Sequence, residues 1–201
     1  MTVVVGLTGG IATGKTTLAR FAEAEGVPVF YADKAVAGLY QTPEVLLELA
    51  KAFPEAGFLS SDAPFEMVRK IAVDREALLL LEKIMHPLVG QKAEEFIAEA
   101  LKNNAPLVLL EVPLLFQSGM DALCSYVIAL QVPEEIQRQR ALDRQGMTEK
   151  KFSFLHERQN SGYKNKADFI IDTSCSITDA EQALKTILAK IKGEENGSKS
   201  S

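Results

Sequence analysis

The sequence has 201 residues, 47% of them hydrophobic and 24% charged, which suits one compact domain or one domain with an inserted subdomain. Its 27 acidic and 22 basic residues give a formal net charge of -5, which argues against a nucleic acid or an anionic membrane as the partner. The apolar N-terminal stretch is interrupted at Gly9-Gly10, unlike a signal peptide or a membrane span. Cys124 and Cys175 lack metal-ligand spacing. We expect reduced thiols and a cytoplasmic protein.

Apolar segments of strand length alternate with helical segments along most of the chain. The predicted strands are Val3–Leu7, Val27–Tyr31, Leu107–Val112, Tyr126–Val132 and Phe169–Asp172. Helices are predicted at Lys15–Glu25, Glu134–Arg144 and Thr178–Lys192. Such alternation indicates an α/β fold, with a parallel five-stranded sheet flanked by helices.

Two stretches depart from this alternation. Residues 34–104 show helical patterns at Glu44–Phe53, Phe65–Met85 and Pro87–Lys102, the last with Pro87 at its first helical position. We interpret 34–104 as a helical insert that separates the core segments 1–33 and 105–192. Residues 145–167 are polar and predict a lid within that core, and the polar residues 193–201 predict a disordered tail.

The most specific motif is GGIATGKT at Gly9–Thr16, which matches G-x-x-x-x-G-K-[ST] between a predicted strand and a predicted helix. Its backbone N–H groups and the helix N-terminus would surround phosphate oxygens. Lys15 would contact the β- and γ-phosphates, and the Thr16 hydroxyl would ligate Mg²⁺. The core is therefore predicted to be of the P-loop NTPase type. The predicted nucleotide-binding residues are Gly10, Ile11, Ala12, Thr13, Gly14, Lys15, Thr16 and Thr17, with ATP as the expected nucleotide.

Two carboxylates follow neighbouring predicted strands, whose carboxyl ends meet at one edge of a parallel sheet. Asp33 follows the second strand and could orient the hydroxyl that accepts a phosphoryl group. Glu111 ends the third strand and could contact Mg²⁺ through water. Each has a purely structural alternative: Asp33 could cap a helix that starts at Lys34, and Glu111 could pair with a lysine.

A GTPase is the first rival class. Asn165-Lys166-Ala167-Asp168 fits the guanine-binding N-K-x-D pattern, and Asp143 to Gly146 fits D-x-x-G. Asn165 precedes a predicted strand instead of following one, and Asp143 lies in a charged helical segment. We therefore interpret both matches as coincidental.

An ordered set of further motifs resembles the dephospho-CoA kinase family over roughly Val3 to Asp172. The matching residues are Gly6–Ile11, Ala32-Asp33, His86-Pro87, Pro113–Phe116, Arg140, Arg144, Gln159 and Ala167-Asp168.

The resemblance implies ATP-dependent phosphorylation of the ribose 3′-hydroxyl of dephospho-CoA, which gives CoA and ADP, with Mg²⁺ as cofactor. It implies that Asp33 acts on that hydroxyl and that the helical insert holds the acceptor. The resemblance also implies that His86, Pro113 and Leu114 contact the acceptor. A histidine just before a proline more often caps a helix or packs against its neighbours. We expect a monomer or a weak oligomer.

Arg140 and Arg144 are four residues apart and would share one face of a helix. From the lid side they could neutralise charge on the triphosphate, with Arg140 in a catalytic role and Arg144 in nucleotide binding. Without the resemblance, a solvated face paired with Glu134, Glu135 and Asp143 would explain them equally well. Arg138 points away from this face.

The sequence departs from the family pattern at several places. Ala12-Thr13 replace the usual Gly-Ser, so we expect the loop to turn differently, because alanine loses easy access to positive φ. Gln117 replaces an acidic residue, Thr173 replaces an asparagine, and the lid is about one residue short. A usual arginine after Asp62 is missing, and Arg69 could substitute for it.

Two alternatives to this function remain. A related P-loop kinase would phosphorylate another small acceptor, such as a nucleotide or a sugar acid. A non-catalytic ATP-binding regulator would bind the nucleotide without turnover.

Overall fold

The computed structural model describes residues 2–59, 66–68, 74–159 and 162–197. Its centre is a five-stranded sheet of order β2-β3-β1-β4-β5, in which all neighbouring strands are parallel. The strands are β1 (Val3–Gly9), β2 (Val29–Tyr31), β3 (Leu107–Glu111), β4 (Tyr126–Gln131) and β5 (Phe169–Asp172). The predicted parallel sheet is confirmed.

Seven helices of eight residues or more occur in the described part of the chain. They are α1 (Lys15–Ala24), α2 (Ala32–Leu39), α3 (Pro43–Ala52), α4 (Arg75–Lys102), α5 (Glu134–Leu142), α6 (Glu149–Gln159) and α7 (Ile177–Gly197). Short 3-10 helices lie at Pro54–Ala56, Met120–Leu123 and Tyr163–Lys166, and residues 66–68 are helical.

The chain divides into two compact units, Met1–Tyr31 with Phe96–Ser201, and Ala32–Glu95. The sequence analysis had placed the boundaries of the helical insert at residues 34 and 104. The insert ends earlier because α4 is one continuous helix whose last turns, from Phe96 onward, belong to the first unit. Asp33 belongs to the second unit.

The core of the first unit forms around the central strand. Val5 and Leu7 of β1 are fully buried, as the position of β1 between β3 and β4 requires. Leu18 of α1 and Leu184 of α7 pack into the same cluster. A fully buried leucine of this kind contributes about 1.5–3 kcal/mol to folding. The first unit therefore holds β1, from which the phosphate motif begins, on a rigid base.

In the second unit, the prediction that Pro87 begins a helix is wrong. Pro87 lies inside α4. Proline inside a helix removes one backbone hydrogen bond and crowds the preceding turn. Its side chain is exposed, while Leu81, Met85 and Val89 on either side are buried. Apolar packing on both sides of the proline keeps the helix continuous.

The segment predicted as an irregular lid is mostly helical. It contains α6 and a 3-10 helix, and Phe152 and Tyr163 are buried in the first unit. Phe152 packs with Ile11, Ala12 and Ala141. The sequence-based interpretation missed these anchors because basic residues surround them.

The C-terminal boundary also differs, since α7 continues to Gly197 beyond the predicted end at Lys192. Several sequence-based expectations fall outside the described residues: Arg69 as a substitute arginine, residue 65 at the start of a predicted helix, residues 160–161 of the lid and 198–201 of the tail. Within the described ranges, no helix combines the length and apolar character needed to cross a membrane.

Candidate active site

The phosphate motif forms a tight loop between β1 and α1. Gly9 must be glycine, because a Cβ there would lie 2.8 Å from both the Leu130 carbonyl oxygen and Thr13 Oγ1. Gly14 precedes α1 with φ of 91°, a left-handed conformation that glycine adopts without strain. The loop therefore leads directly into the N-terminus of α1, where backbone N–H groups and the helix dipole favour anions.

The conformation of Ala12 contradicts the expectation that an alanine at this point of the loop would avoid a positive φ. It has a positive φ of 57°, so alanine adopts the left-handed conformation itself. This conformation costs roughly 1–2 kcal/mol for a residue with a Cβ. Ala12 is buried beside Phe152 and Ala141, and this packing offsets part of the cost.

Lys15 is the buried cation of the loop. Its Nζ donates hydrogen bonds of 2.9 Å to both the Gly9 and Gly10 carbonyl oxygens. The ammonium group is therefore held over the loop, in a position to bind an anionic phosphate. Contacts with charged oxygens are stronger than those with carbonyls, so a triphosphate would compete effectively for Nζ.

Side chains from inside and outside the motif fix the loop backbone. Thr13 Oγ1 donates to the Gly10 carbonyl at 2.9 Å. The buried amide of Gln137, on α5, donates from Nε2 to the Ile11 carbonyl at 2.6 Å. Thr173, just after β5, donates from Oγ1 to the Thr13 carbonyl at 2.8 Å. The loop is therefore preorganised by residues more than a hundred positions away in the sequence.

A cavity of about 300 Å³ lies beside the loop in the first unit. Its mouth and walls combine loop residues, two arginines and apolar side chains, which suits a nucleotide with its phosphates at the loop. It is lined by Ala12, Gly14, Thr17, Leu18, Arg140, Arg144, Thr173, Cys175, Ile177 and Ala180.

The two predicted arginines both line this cavity, but they lie in different elements of secondary structure. Arg140 lies in α5 and donates from Nη2 to the Thr173 carbonyl at 2.9 Å. Arg144 follows the end of α5 at Leu142, so it lies in a turn and not on the helix face predicted from the sequence. Arg138 pairs with Glu149 at the surface. Of these three arginines, two thus border the loop.

The expected Mg²⁺ site has suitable donors in this unit. Thr16 is exposed in the first turn of α1, immediately after Lys15, and Glu111 is buried at the carboxyl end of β3. Among the described residues, no three carboxylate, histidine or cysteine side chains converge on a metal position. Mg²⁺ does not need such a cluster, because it usually completes its coordination with phosphate oxygens and water.

Asp33 lies in the second unit, as the second residue of α2. It therefore stands inside the first helical turn and not at a cap before Lys34. The carboxylate is exposed. Along the chain, Asp33 comes two residues after Tyr31, which ends β2 beside Glu111 of β3. Asp33 thus follows the carboxyl end of its strand, as the sequence predicted.

His86 lies in the middle of α4, half-buried, and not before a helix start. Burial lowers the pKa of its imidazole below the usual value. The ring is therefore neutral at neutral pH and can both donate and accept one hydrogen bond.

Pro113 and Leu114 lie in the turns that follow β3 and are half-buried. The buried Thr8 hydroxyl of β1 donates to the Pro113 carbonyl at 3.4 Å, and the Ser118 N–H donates to the Leu114 carbonyl at 2.9 Å. The turns lead to the 3-10 helix at Met120–Leu123.

The structure gives Asp168 a role other than guanine binding. Its carboxylate accepts a 2.7 Å hydrogen bond from the Val127 N–H, and its own N–H donates to the Val127 carbonyl at 2.9 Å. Asp168 thus extends the pairing of β5 with β4, which agrees with the interpretation of the N-K-x-D match as coincidental.

Comparison with known proteins gives one consistent family. The family model for dephospho-CoA kinase matches residues 3–179. A dephospho-CoA kinase of Bartonella henselae is 39% identical over 193 residues, which cover 94% of this chain and 98% of the relative.

Two solved structures share the fold over nearly the whole chain. TT1252 from Thermus thermophilus has a TM-score of 0.76 at 30% identity and covers 94% of this chain and 97% of its own. A dephospho-CoA kinase from Campylobacter jejuni has a TM-score of 0.68 at 26% identity, with coverage of 97% and 100%. The formed phosphate loop and these matches lead to one conclusion: the chain belongs to the dephospho-CoA kinase family.

Proposed function

We propose that this protein transfers the γ-phosphoryl group of ATP to the ribose 3′-hydroxyl of dephospho-CoA, which yields CoA and ADP. The observation that carries the proposal is the preorganised phosphate loop with the buried Lys15 beside a nucleotide-sized cavity, in a chain of this family. Phosphoryl transfer depends mainly on positioning and on neutralising charge, and both are properties of such a loop.

ATP would bind with its phosphates against the N–H groups of residues 11–16, because the Gly10 N–H already donates to the Tyr163 hydroxyl, and with its nucleoside in the adjoining cavity. Lys15 would exchange its contacts with the Gly9 and Gly10 carbonyls for the β- and γ-phosphates. Because the loop is held by Gln137 and Thr173, little rearrangement of its backbone is needed at that step.

Arg140 and Arg144 would bind and orient the phosphates from the other side of the cavity that they line. The bond from Arg140 to the Thr173 carbonyl leaves other N–H groups of the guanidinium for phosphate oxygens. Charge that shifts toward the leaving group during transfer would be stabilised there.

Asp33 would accept a hydrogen bond from the acceptor 3′-hydroxyl and take its proton as the new P–O bond forms. The support is that Asp33 follows the end of β2 by two residues in the chain and has an exposed carboxylate, since parallel α/β sheets bind ligands beyond the carboxyl ends of their strands. The family match extends through this residue.

Thr16 would hold Mg²⁺ through its hydroxyl, and Glu111 would contact it through water. When bound, Mg²⁺ would neutralise charge on the β- and γ-phosphate oxygens. The donor types favour Mg²⁺, a hard cation that prefers oxygen.

The acceptor would be bound by residues of the helical unit. Dephospho-CoA as the acceptor agrees with the name of the relatives. Neutral His86 would contribute a hydrogen bond, and Pro113 and Leu114 would form an apolar wall. We also infer a cytoplasmic enzyme that acts as a monomer or a weak oligomer, in keeping with small soluble substrates.

The test measures ADP release from ATP and Mg²⁺ with each of four kinds of acceptor, and it identifies the product. The acceptors are dephospho-CoA, shikimate, gluconate and nucleoside monophosphates. We expect turnover with dephospho-CoA alone and phosphate on the ribose 3′-oxygen of the product. Turnover with another acceptor would instead support a related small-molecule kinase. ATP binding without turnover of any acceptor would support the non-catalytic regulator.

A further inference from the structure

Tyr163 makes a buried contact with the phosphate loop that the mechanism above does not use. Its side chain is 4% exposed. The phenol oxygen accepts a 3.2 Å hydrogen bond from the Gly10 N–H and donates one of 3.1 Å to the Leu130 carbonyl. One hydroxyl therefore connects the loop to β4.

The position of this contact is specific. Gly9 and Leu130 are the last paired residues of β1 and β4, and the chain turns into the loop at Gly10. The two strands are close there, as the 2.8 Å between a Cβ on Gly9 and the Leu130 oxygen shows. The Tyr163 hydroxyl bridges the Gly10 N–H and the Leu130 carbonyl as a buried water molecule would.

The segment that carries Tyr163 is itself anchored to β4. Gly162, with φ of 69°, lets the chain turn into the 3-10 helix. Five residues after Tyr163, Asp168 exchanges two hydrogen bonds with Val127 of β4. The phenol and Asp168 therefore both tie this segment to β4.

We propose that Tyr163 is a positioning residue for nucleotide binding, whose hydroxyl occupies the Gly10 N–H and fixes the point at which the phosphate loop leaves β1. The inference rests on the proposed binding of ATP by this loop. With Gly10 held, the N–H groups of the following residues keep one arrangement around the phosphates. Without the hydroxyl, the loop would sample other positions, and ATP would have to select one of them.

The bridge needs a neutral phenol, because only the protonated oxygen can donate to the Leu130 carbonyl. Burial raises the pKa of Tyr163, and the hydrogen bond from the Gly10 amide lowers it in part. The bridge is therefore intact throughout the neutral pH range, and its contribution to ATP binding should not change between about pH 6 and pH 8.5.

The test compares Tyr163→Phe with Tyr126→Phe. Tyr126 is a matched control, because it lies in the same unit at the opposite end of β4 and packs on Phe169. We expect Tyr163→Phe to raise the Kd for ATP by about 5- to 20-fold, the usual effect of one buried hydrogen bond. The KM for dephospho-CoA should stay within about twofold, and Tyr126→Phe should leave the Kd for ATP within about twofold.

Hydrogen exchange of the Gly10 amide tests the hydrogen bond itself, while the rise in the Kd for ATP without a change in the KM for dephospho-CoA tests its role in positioning the loop. The exchange should be slow in the nucleotide-free wild type and clearly faster in Tyr163→Phe. An unchanged Kd for ATP in Tyr163→Phe would overturn the inference. So would a Gly10 amide that exchanges freely in the wild type, a result that needs no variant to fold. Absence of transfer to dephospho-CoA with normal ATP binding would count against the proposed function instead.

Discussion

The Thr173 hydroxyl donates a 2.8 Å hydrogen bond to the backbone carbonyl of Thr13, 160 positions earlier in the chain. The Gln131 carbonyl of β4, at 3.2 Å, is a second acceptor for the same hydroxyl. Thr173 thus ties the phosphate loop to the end of the sheet, although the sequence alone marks it only as a departure from an asparagine.

Thr173→Val should therefore weaken both the fold and ATP binding. It removes the hydroxyl donor of the Thr13 carbonyl, whereas the Gln131 carbonyl keeps the N–H of residue 173. The free energy of unfolding should therefore fall by about 1–2 kcal/mol and the Kd for ATP should rise about 3- to 10-fold. Urea unfolding and calorimetric titration measure the two effects. Thr186→Val is the control, since Thr186 makes a similar 2.8 Å bond to Gln182 on the exposed surface of α7. Equal Kd values for the two variants would refute the role of Thr173 in the loop.

Arg140 and Arg138 provide a contrast within one helix. Arg140 borders the loop cavity and bonds to Thr173, whereas Arg138 pairs with Glu149 at the surface. Arg140→Ala should lower kcat by about 10²-fold, the usual effect of losing one donor that stabilises developing charge. Arg138→Ala should leave kcat within about twofold. Steady-state kinetics at saturating ATP would decide, and similar losses in both variants would contradict the assignment.

The half-buried imidazole of His86 makes stability depend on pH. Burial lowers the pKa of folded His86 below the unfolded value of about 6.5, so the unfolded chain binds more protons between the two values. His86 therefore contributes a loss of stability as the pH falls below about 6.5.

His86→Gln should make the decline in unfolding free energy between pH 7 and pH 5 shallower, as followed by urea unfolding at each pH. His156→Gln is the control, since His156 lies 3.7 Å from the exposed Glu134. It should retain most of the wild-type decline. A decline in His86→Gln as steep as that of the wild type would show that protonation of this residue does not oppose folding.

Much of the nucleotide-binding unit could be predicted from local patterns. The β-branched run of β1, followed at once by the glycine-rich motif and by helix α1, specifies strand, loop and helix in turn. Phe169–Asp172 was predicted with the bounds that β5 has in the structure. β1 is buried along its whole length, so its apolar pattern follows directly from its central place in the sheet, and β5 is a short edge strand that buries Ile171.

The sequence was less informative where tertiary packing overrides local preference. Pro87 favours a helix start, but buried neighbours on both sides keep α4 continuous. Ala12 disfavours positive φ, but packing beside Phe152 keeps it at 57°. Long-range contacts could not be predicted either, because no local pattern marks Gln137 or Tyr163 as a partner of a loop more than a hundred residues away.

The central claim is that the phosphate loop and the carboxylate of Asp33 together transfer a phosphoryl group to an alcohol. Asp33→Asn tests it most directly, because it keeps the size of the side chain and removes its ability to accept a proton. The measurement is kcat for the formation of CoA from dephospho-CoA, with the Kd for ATP determined on the same preparation. The claim predicts a kcat lower by about 10²-fold or more and an unchanged Kd for ATP. A kcat within about threefold of the wild type would contradict it.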